Sequence, residues 1–152
     1  MITKRLSCLL FALAATAQTP IVTLSTYMGL ADCDAVAMRG QDAFLPCHST
    51  GVDFPVAVHG APLVPGEMNA YVIRLNPTTG RILYVTRFGG HGYTGAFRIR
   101  IEKATGAAWV TGVTKAADFP VTSDALQRQY GGGDGDACLV KLSPAGQVVY
   151  ST

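Results

Sequence analysis

A glycine-rich acidic segment at residues 131–136 is the first place where residue types and their spacing could do chemistry. Carboxylates that alternate with glycines can wrap around a calcium ion, which prefers oxygen ligands. This segment supplies only the carboxylates of Asp134 and Asp136, and no glutamate follows at the distance that a calcium loop requires. The corresponding segment of the first half, residues 65–69, has a different pattern. We therefore interpret residues 131–136 as a solvated turn and predict no metal site.

The three histidines are the other candidates for metal ligands or a general base. His48, His59 and His91 fall at a strand end, in a long loop and in a glycine-rich turn, so their spacing brings no two of them together. The sequence contains no nucleophile elbow, no phosphate-binding loop and no His-Glu-x-x-His pattern. No catalytic residue, metal ligand or cofactor-binding residue is predicted, and we expect a chain that is not an enzyme.

Two aspartates stand at corresponding places in the two halves of the chain. Asp53 and Asp118 each begin an Asp-Phe-Pro-Val segment. Glycoside hydrolysis would need a pair of carboxylates, but this equivalence favours a shared structural role, in which each aspartate caps the turn that its segment starts. We expect the phenylalanines that follow, Phe54 and Phe119, to hold long loops against their sheets.

Phe44 and Trp109 are candidates for an aromatic sugar-binding platform. They occupy the same position of two corresponding strands. Large aromatic side chains contribute most to a folded protein when they are buried. We therefore predict that both belong to the core.

These residues correspond because the chain contains an internal repeat. Three segments return in the same order at spacings between 65 and 67 residues: 53–56 as 118–121, 70–77 as 137–144, and 84–86 as 150–152. A repeat of this length indicates a modular architecture. The repeats divide the chain after a signal segment into residues 18–86 and residues 87–152.

Each repeat contains four segments with strand character, in the same order. In the first they are residues 35–38, 43–48, 70–76 and 82–88, and in the second residues 96–102, 108–114, 137–143 and 147–152. Residues 97–102 alternate apolar and polar side chains, which is the period of a strand with one face in the core. Proline and glycine between the third and fourth segments predict hairpin turns. Four antiparallel strands per unit are typical of a propeller blade.

The two repeats resemble the bacterial seven-bladed β-propeller (SBBP-type) repeat family. The closest motifs are Gly89-Gly90, Trp109-Val110-Thr111-Gly112, Asp118-Phe119-Pro120 and Asp136-Ala137-Cys138-Leu139-Val140-Lys141-Leu142. The first repeat departs from the pattern, with Phe44-Leu45-Pro46-Cys47 and Gly29-Leu30 at two of these places. The resemblance covers about residues 22–152. It implies an all-β fold of two four-stranded antiparallel blades and no particular activity.

One further strand is predicted ahead of the first repeat, at residues 21–28. It aligns with the fourth strand of the repeat, so the chain has two blades and one extra strand. Known propellers have about four to eight blades, so two blades cannot close a ring within one chain. Either identical copies complete the ring by self-assembly, or the chain is part of a longer propeller.

Residues 1–17 have the pattern of a signal peptide. A basic start, Lys4 and Arg5, precedes an apolar run that ends in a small-x-small cleavage site at residues 15–17. The run is shorter than the roughly 20 residues of a membrane-spanning helix, and Cys8 precedes the apolar core, so no lipid anchor is predicted. We expect cleavage near Ala17 and a secreted, periplasmic or cell-surface protein.

Composition excludes some classes of partner. The chain has 12 basic and 10 acidic residues, and the signal segment holds two of the basic ones, so the remainder is close to neutral. No clustered basic surface of the kind that binds nucleic acid is present. Charged residues are 14% of the chain and glycines number 17, which suits short strands joined by turns.

Three cysteines remain after cleavage. Export permits a disulfide, and an odd number leaves at least one thiol free. Cys33 and Cys47 could pair within the first repeat, although the sequence does not establish their geometry. Cys138 occupies the strand position that Tyr71 has in the first repeat, so we predict a buried free thiol.

The sequence therefore predicts an exported, non-catalytic repeat module that binds a protein or carbohydrate partner or serves as a scaffold. A second hypothesis is a fragment of a larger extracellular propeller, such as a carbohydrate-active enzyme whose catalytic residues lie in other blades. A third is a truncated product with no function of its own.

Overall fold

The structure is a computed structural model, and it describes residues 31–51 and 54–152. The predicted signal peptide, the predicted strand at residues 21–28, the Gly29-Leu30 pair and Asp53 lie outside the described residues. The described residues form strands and turns without a helix. The part of the chain described here is all-β, as predicted, and is built from two largely antiparallel sheets.

Ten strands make up the two sheets. The first sheet contains β1 (Asp32–Cys33), β2 (Ala37–Arg39), β3 (Asp42–Ser49), β4 (Val58–Gly60), β5 (Asn69–Asn76) and β6 (Arg81–Phe88). The second contains β7 (Thr94–Ile101), β8 (Ala108–Thr114), β9 (Asp136–Leu142) and β10 (Val148–Ser151). All eight strand segments predicted from the repeat overlap observed strands. Each sheet belongs to one repeat.

The second sheet is a simple antiparallel meander in the order β10-β9-β8-β7. The turn between β9 and β10 is the predicted hairpin, in which the Gly146 N–H donates to the Ser143 carbonyl at 2.9 Å. Gly146 has a φ of +84°, a conformation that side chains other than glycine rarely adopt. The order of the four strands and the hairpin turn of the second sheet are those predicted from the repeat.

The first sheet differs from the prediction at the edge next to β3. A single strand at residues 35–38 was expected, but β1 and β2 are two short strands that both pair with β3. Asp34 still donates to the carbonyl of Pro46 at 3.3 Å, so the backbone of Pro46 faces this edge. Proline has no N–H to donate. The edge strand breaks opposite Pro46 because the ladder lacks one hydrogen bond there.

A long loop covers one edge of each sheet, at β6 in the first sheet and at β10 in the second. In the first repeat the loop after β3 returns as β4, which pairs in parallel with β6. In the second repeat the loop after β8 lies along β10, where the Thr122 N–H donates to the Ser151 carbonyl at 3.0 Å. Such cover satisfies backbone groups that would otherwise invite pairing with another chain. The sequence predicted the loops but not the short strand β4.

Each sheet has two faces, which we call front and back. The front face carries Ile73 and Leu75 in the first sheet and Val140 and Leu142 in the second. The back face carries the residues that alternate with these. The back face of the first sheet packs on the front face of the second, and buries a core of Phe44, Ala70, Val72, Tyr84, Phe88, Ala96, Ile99, Ala108, Val110, Val140 and Leu142. The sheets therefore stack front to back, as successive copies of one unit.

A smaller core lies on the front face of the first sheet. Its buried members are Ala43, Cys47, Tyr71, Ile73, Leu75 and Val85, with Phe54, Val56 and Val58 of the long loop packed against them. The ring of Phe54 lies 5.6 Å from that of Tyr71. In the second repeat Phe119 lies 6.4 Å from Phe88. The prediction that the phenylalanine holds its loop against its own sheet is confirmed for Phe54, whereas the ring contact of Phe119 is with Phe88 of the first sheet.

The cysteines take the two states that the sequence allowed. Cys33 and Cys47 face each other across β1 and β3 and form a disulfide. Cys138 is a free, buried thiol, as predicted. Burial raises the pKa of the Cys138 thiol to about 11, so it is protonated near neutral pH.

Candidate functional site

The back face of the second sheet is covered by no other described sheet. Its side chains are half-buried or exposed: Arg98, Arg100, Trp109, Thr111, Val113, Ala137, Leu139, Lys141 and Tyr150. The corresponding back face of the first sheet is the buried side of the main core. Ala137 is exposed and Leu139 is half-buried. Their equivalents in the first repeat, Ala70 and Val72, are fully buried. We call this surface the open face.

In the covered first sheet, one row of three side chains runs across strands β3, β5 and β6. Arg74 pairs with Phe44 on one side and with Tyr84 on the other. Its guanidinium carbon lies 5.2 Å from the centre of the Phe44 ring and 5.9 Å from that of Tyr84. Asp42 accepts from the Arg74 guanidinium at 2.6 Å. This row is a cation between two aromatic rings, an arrangement that the ring electrons stabilise.

The second sheet closes over this row with its β9–β10 turn. The Arg74 guanidinium donates to the Pro144 carbonyl at 2.8 Å, and the Thr86 hydroxyl donates to the Gly146 carbonyl. A Cβ on residue 146 would lie 2.7 Å from the Tyr84 ring, so only glycine fits there. Burial raises the pKa of Tyr84 to about 12, partly offset by Arg74, so its hydroxyl stays neutral.

The same row exists on the open face, with nothing above it among the described residues. Lys141 pairs with Trp109 on one side and Tyr150 on the other. Its ammonium lies 4.7 Å from the centre of the Trp109 ring, and that ring lies 6.2 Å from the Tyr150 ring. The two rows match residue by residue: aromatic, cation, tyrosine. The open face is therefore built like a surface that is covered in the first repeat.

Glu102, at the end of β7, holds the open-face row in position. Its carboxylate accepts from the Trp109 indole N–H at 2.7 Å and from the Thr105 hydroxyl at 2.6 Å, and it lies 2.9 Å from the Lys141 ammonium. These hydrogen bonds, first those from Thr105 and Trp109, lower the pKa of Glu102 to about 2. The carboxylate is thus charged at any physiological pH and fixes the Trp109 ring.

The prediction that Trp109 belongs to the core is wrong, whereas the same prediction for Phe44 is confirmed. Phe44 is 1% exposed between the sheets, and Trp109 is half-buried on the open face. Both occupy the same strand position, but only the first sheet has a neighbour on its back face. Sequence correspondence gives the position within a sheet, and stacking decides whether that position is buried.

Asp118 takes a different role from the predicted cap of its own turn. Its carboxylate accepts from the backbone N–H and from the ring Nδ1 of His91, each at 2.7 Å. A Cβ on Gly90 would clash with this carboxylate. The pKa of His91 is raised and that of Asp118 lowered, in each case first by their side-chain hydrogen bond. Asp118 therefore fastens the Gly89-Gly90 connection between the sheets, a role that the two motifs together could have indicated.

The remaining two histidines contact different parts of the chain. His48 Nδ1 is 3.3 Å from Asp34, and its ring packs near Tyr93 and Phe97. The His59 ring nitrogen is 3.1 Å from the Gln147 amide. No group of three potential metal-binding side chains occurs within residues 31–51 and 54–152.

The glycine-rich acidic segment forms a turn, as predicted. Gly132, Gly133 and Gly135 have positive φ angles. The carboxylate of Asp136 accepts from the backbone N–H of Gly131 and from the side-chain amide of Gln127. The chain's own donors therefore occupy this carboxylate.

Comparisons with known proteins give no family for this chain. No protein-family model matches it, and no curated protein matches it. In the described part of the chain, no helix is long and apolar enough to cross a membrane.

Proposed function

We propose that this chain is an exported, non-catalytic repeat module of the β-propeller type, and that its open face binds another sheet of the same repeat from a second copy of the chain. The single observation that carries the proposal is the matched pair of rows. The two rings that flank Arg74, Phe44 and Tyr84, are buried under a neighbouring sheet. The equivalent rings that flank Lys141, Trp109 and Tyr150, are only half-buried.

The chemistry of the open face fits such a partner. A covering sheet would bring a turn with a free carbonyl for Lys141 and a glycine against the Tyr150 ring, as Pro144 and Gly146 do for the first row. Exposed Ala137 and half-buried Leu139 would gain apolar contacts. Burial of such side chains contributes about 25 cal/mol for each Å² of apolar surface.

The disulfide supports the exported location. Cys33 and Cys47 are joined in the folded chain, and disulfides of this kind persist in oxidising compartments. The chemistry of the open face supports a scaffold or binding role in preference to catalysis, because its carboxylate, Glu102, is engaged with Lys141, Trp109 and Thr105.

Trp109 allows a direct test, since it is the only tryptophan in the chain and lies on the open face. We expect its emission to shift to shorter wavelength as the protein concentration rises. Arg98→Glu, an exposed charge reversal on the open face, should weaken association by roughly tenfold. Lys103→Glu, the matched reversal in the exposed β7–β8 turn, should leave association unchanged. Emission that is independent of concentration in the unmodified protein would contradict the proposal.

One observation favours a second candidate. The front face of the first sheet is already buried, with Tyr71, Ile73 and Val85 fully inaccessible. A second copy stacked in the same orientation would find that face occupied. The covering sheet would then come from other repeats of a larger extracellular propeller, whose catalytic residues, if it is a carbohydrate-active enzyme, lie outside this sequence. A chain that stays monomeric with Trp109 exposed to solvent would support this candidate over self-assembly.

A further inference from the structure

A cavity of about 240 Å³ lies at the loop end of the second sheet, away from the row at Lys141. Its floor includes Phe119 and Cys138, and its rim includes Leu126, Gln127 and Asp136. Leu126 is 90% exposed, although it is a large apolar side chain. The cavity therefore has an apolar floor and a rim of polar and apolar side chains that includes the exposed Leu126.

The first repeat fills the same place with its own side chain. Tyr71 and Cys138 are equivalent, because each pairs with the equivalent position of the preceding strand, Cys47 and Gly112. The Tyr71 ring is fully buried and lies 5.6 Å from Phe54, the equivalent of Phe119. In the second repeat a thiol replaces that ring. The loop after β8 is also two residues longer than its counterpart, as the change in repeat spacing from 65 to 67 indicates.

We propose that this cavity binds a single phenolic ring, taking from a ligand the group that Tyr71 supplies within the first repeat. The size is sufficient, since an engineered apolar cavity of about 150 Å³ binds benzene. This cavity shares only Ala137 with the open face, and the inference does not depend on self-assembly.

The polar groups of the rim suit the hydroxyl of a phenol. The Tyr71 hydroxyl is buried and makes no hydrogen bond with the described residues. In the second repeat Gln127, Tyr130 and Asp136 line the cavity. The chain's own donors occupy Asp136 Oδ2, whereas Asp136 Oδ1 and the side-chain carbonyl of Gln127 are left to accept from a phenol hydroxyl. A phenol bound there gains hydrogen bonds that the buried tyrosine of the first repeat lacks.

The thiol at the floor takes part as a surface and not as a nucleophile. Burial raises the pKa of Cys138 to about 11, so the thiolate that covalent attack would need is scarce near neutral pH. Binding is therefore reversible and non-covalent. Small ligands of this kind bind weakly, so we expect a dissociation constant on the order of millimolar.

The test is a titration with p-cresol, followed by amide chemical shifts in NMR spectra of the whole chain. We expect saturable shifts at residues 117, 126 and 138. Cyclohexanol, which has no aromatic ring, should bind roughly tenfold more weakly. Absence of saturable shifts up to the solubility limit of p-cresol, or equal binding of cyclohexanol, would overturn the proposal.

Two variants connect any binding to this cavity. Cys138→Tyr places the missing ring inside and should abolish p-cresol binding while retaining the fold. Leu126→Ala alters an exposed rim residue, so it should fold normally and weaken binding by roughly three- to tenfold. Lys103→Glu is the distant control and should bind as the unmodified chain does. Unchanged affinity in Leu126→Ala would overturn the assignment even if Cys138→Tyr did not fold.

The source of the phenol is decided by a second ligand. A Gly-Tyr-Gly peptide presents the same ring on a polypeptide. If the peptide binds more tightly than p-cresol, the natural ligand is a tyrosine side chain of another protein. If only p-cresol binds, it is a free phenolic compound.

Discussion

Two glycine-to-alanine substitutions at equivalent turns isolate the contact between the sheets. Gly80 and Gly146 end the same hairpin turn of the two repeats, with φ angles of +69° and +84°. An alanine in this conformation costs about 1–2 kcal/mol at either site. At residue 80 the new Cβ meets nothing within 4 Å, whereas at residue 146 it would lie 2.7 Å from the Tyr84 ring.

The difference between the two variants measures the packing of the second sheet on the first. Overpacking of a filled contact costs about 1–3 kcal/mol. We therefore expect Gly80→Ala to lower the free energy of unfolding by about 1–2 kcal/mol and Gly146→Ala by about 2–5 kcal/mol.

Urea unfolding followed by circular dichroism gives both values from the midpoint and slope. A double variant that adds Tyr84→Leu should recover part of the loss in Gly146→Ala and none of the loss in Gly80→Ala, because only residue 146 touches that ring. Equal losses in the two single variants, with no recovery by Tyr84→Leu, would refute the front-to-back packing of the sheets.

Three further outcomes follow from the described contacts. Replacing Cys33 and Cys47 by alanine should lower the free energy of unfolding by about 2–4 kcal/mol, since the disulfide closes a loop of 14 residues. In urea melts, a reductant should lower the free energy of unfolding of the unmodified chain by the same amount and leave that of the double variant unchanged. Removal of residues 144–152 takes away β10 and the turn that covers the Arg74 row, so calorimetry should find no cooperative transition, and an unchanged melt would argue against a four-stranded unit. The His91–Asp118 pair should stabilise the fold most between about pH 4 and pH 6.5. The pKa of His91 is raised, so its contribution is lost as pH rises through that pKa; the pKa of Asp118 is lowered, so its contribution is lost as pH falls through that pKa. Thermal midpoints of Asp118→Asn should differ from those of the unmodified chain most in this window, and a constant difference across pH would contradict the assignment.

Strands and hairpin turns could be predicted because they depend on local chemistry. The alternation in residues 97–102 fixes which side chains of β7 face the core, and proline with glycine fixes the turn before β10. The pairing of Cys33 with Cys47 lay within the possibilities that the sequence left open. Each of these features depends on a few neighbouring residues.

The break in the edge strand and the exposure of Trp109 depend on contacts between distant parts of the chain. Pro46 lies in β3, yet its missing N–H interrupts a different strand. Trp109 has the sequence environment of a core residue, and it is half-buried only because no described sheet stacks on its face. A repeat in sequence specifies what one unit is, and the direction of stacking decides which unit keeps an open face.

The partner of Asp118 illustrates the same limit. Its neighbours in sequence predicted a local cap, but its carboxylate reaches His91 across the connection between the two sheets. The joint presence of Gly89-Gly90 and Asp-Phe-Pro could have indicated that contact, since Gly90 leaves the space into which the carboxylate fits.

The absolute mass of residues 18–152 in solution, measured by light scattering on a sizing column, tests the proposed role of the open face most directly. Self-assembly through that face predicts a discrete dimer, trimer or tetramer, and a shift toward monomer in Arg98→Glu but not in Lys103→Glu. A monomer at every concentration, with Trp109 emission typical of a solvated ring, would contradict it.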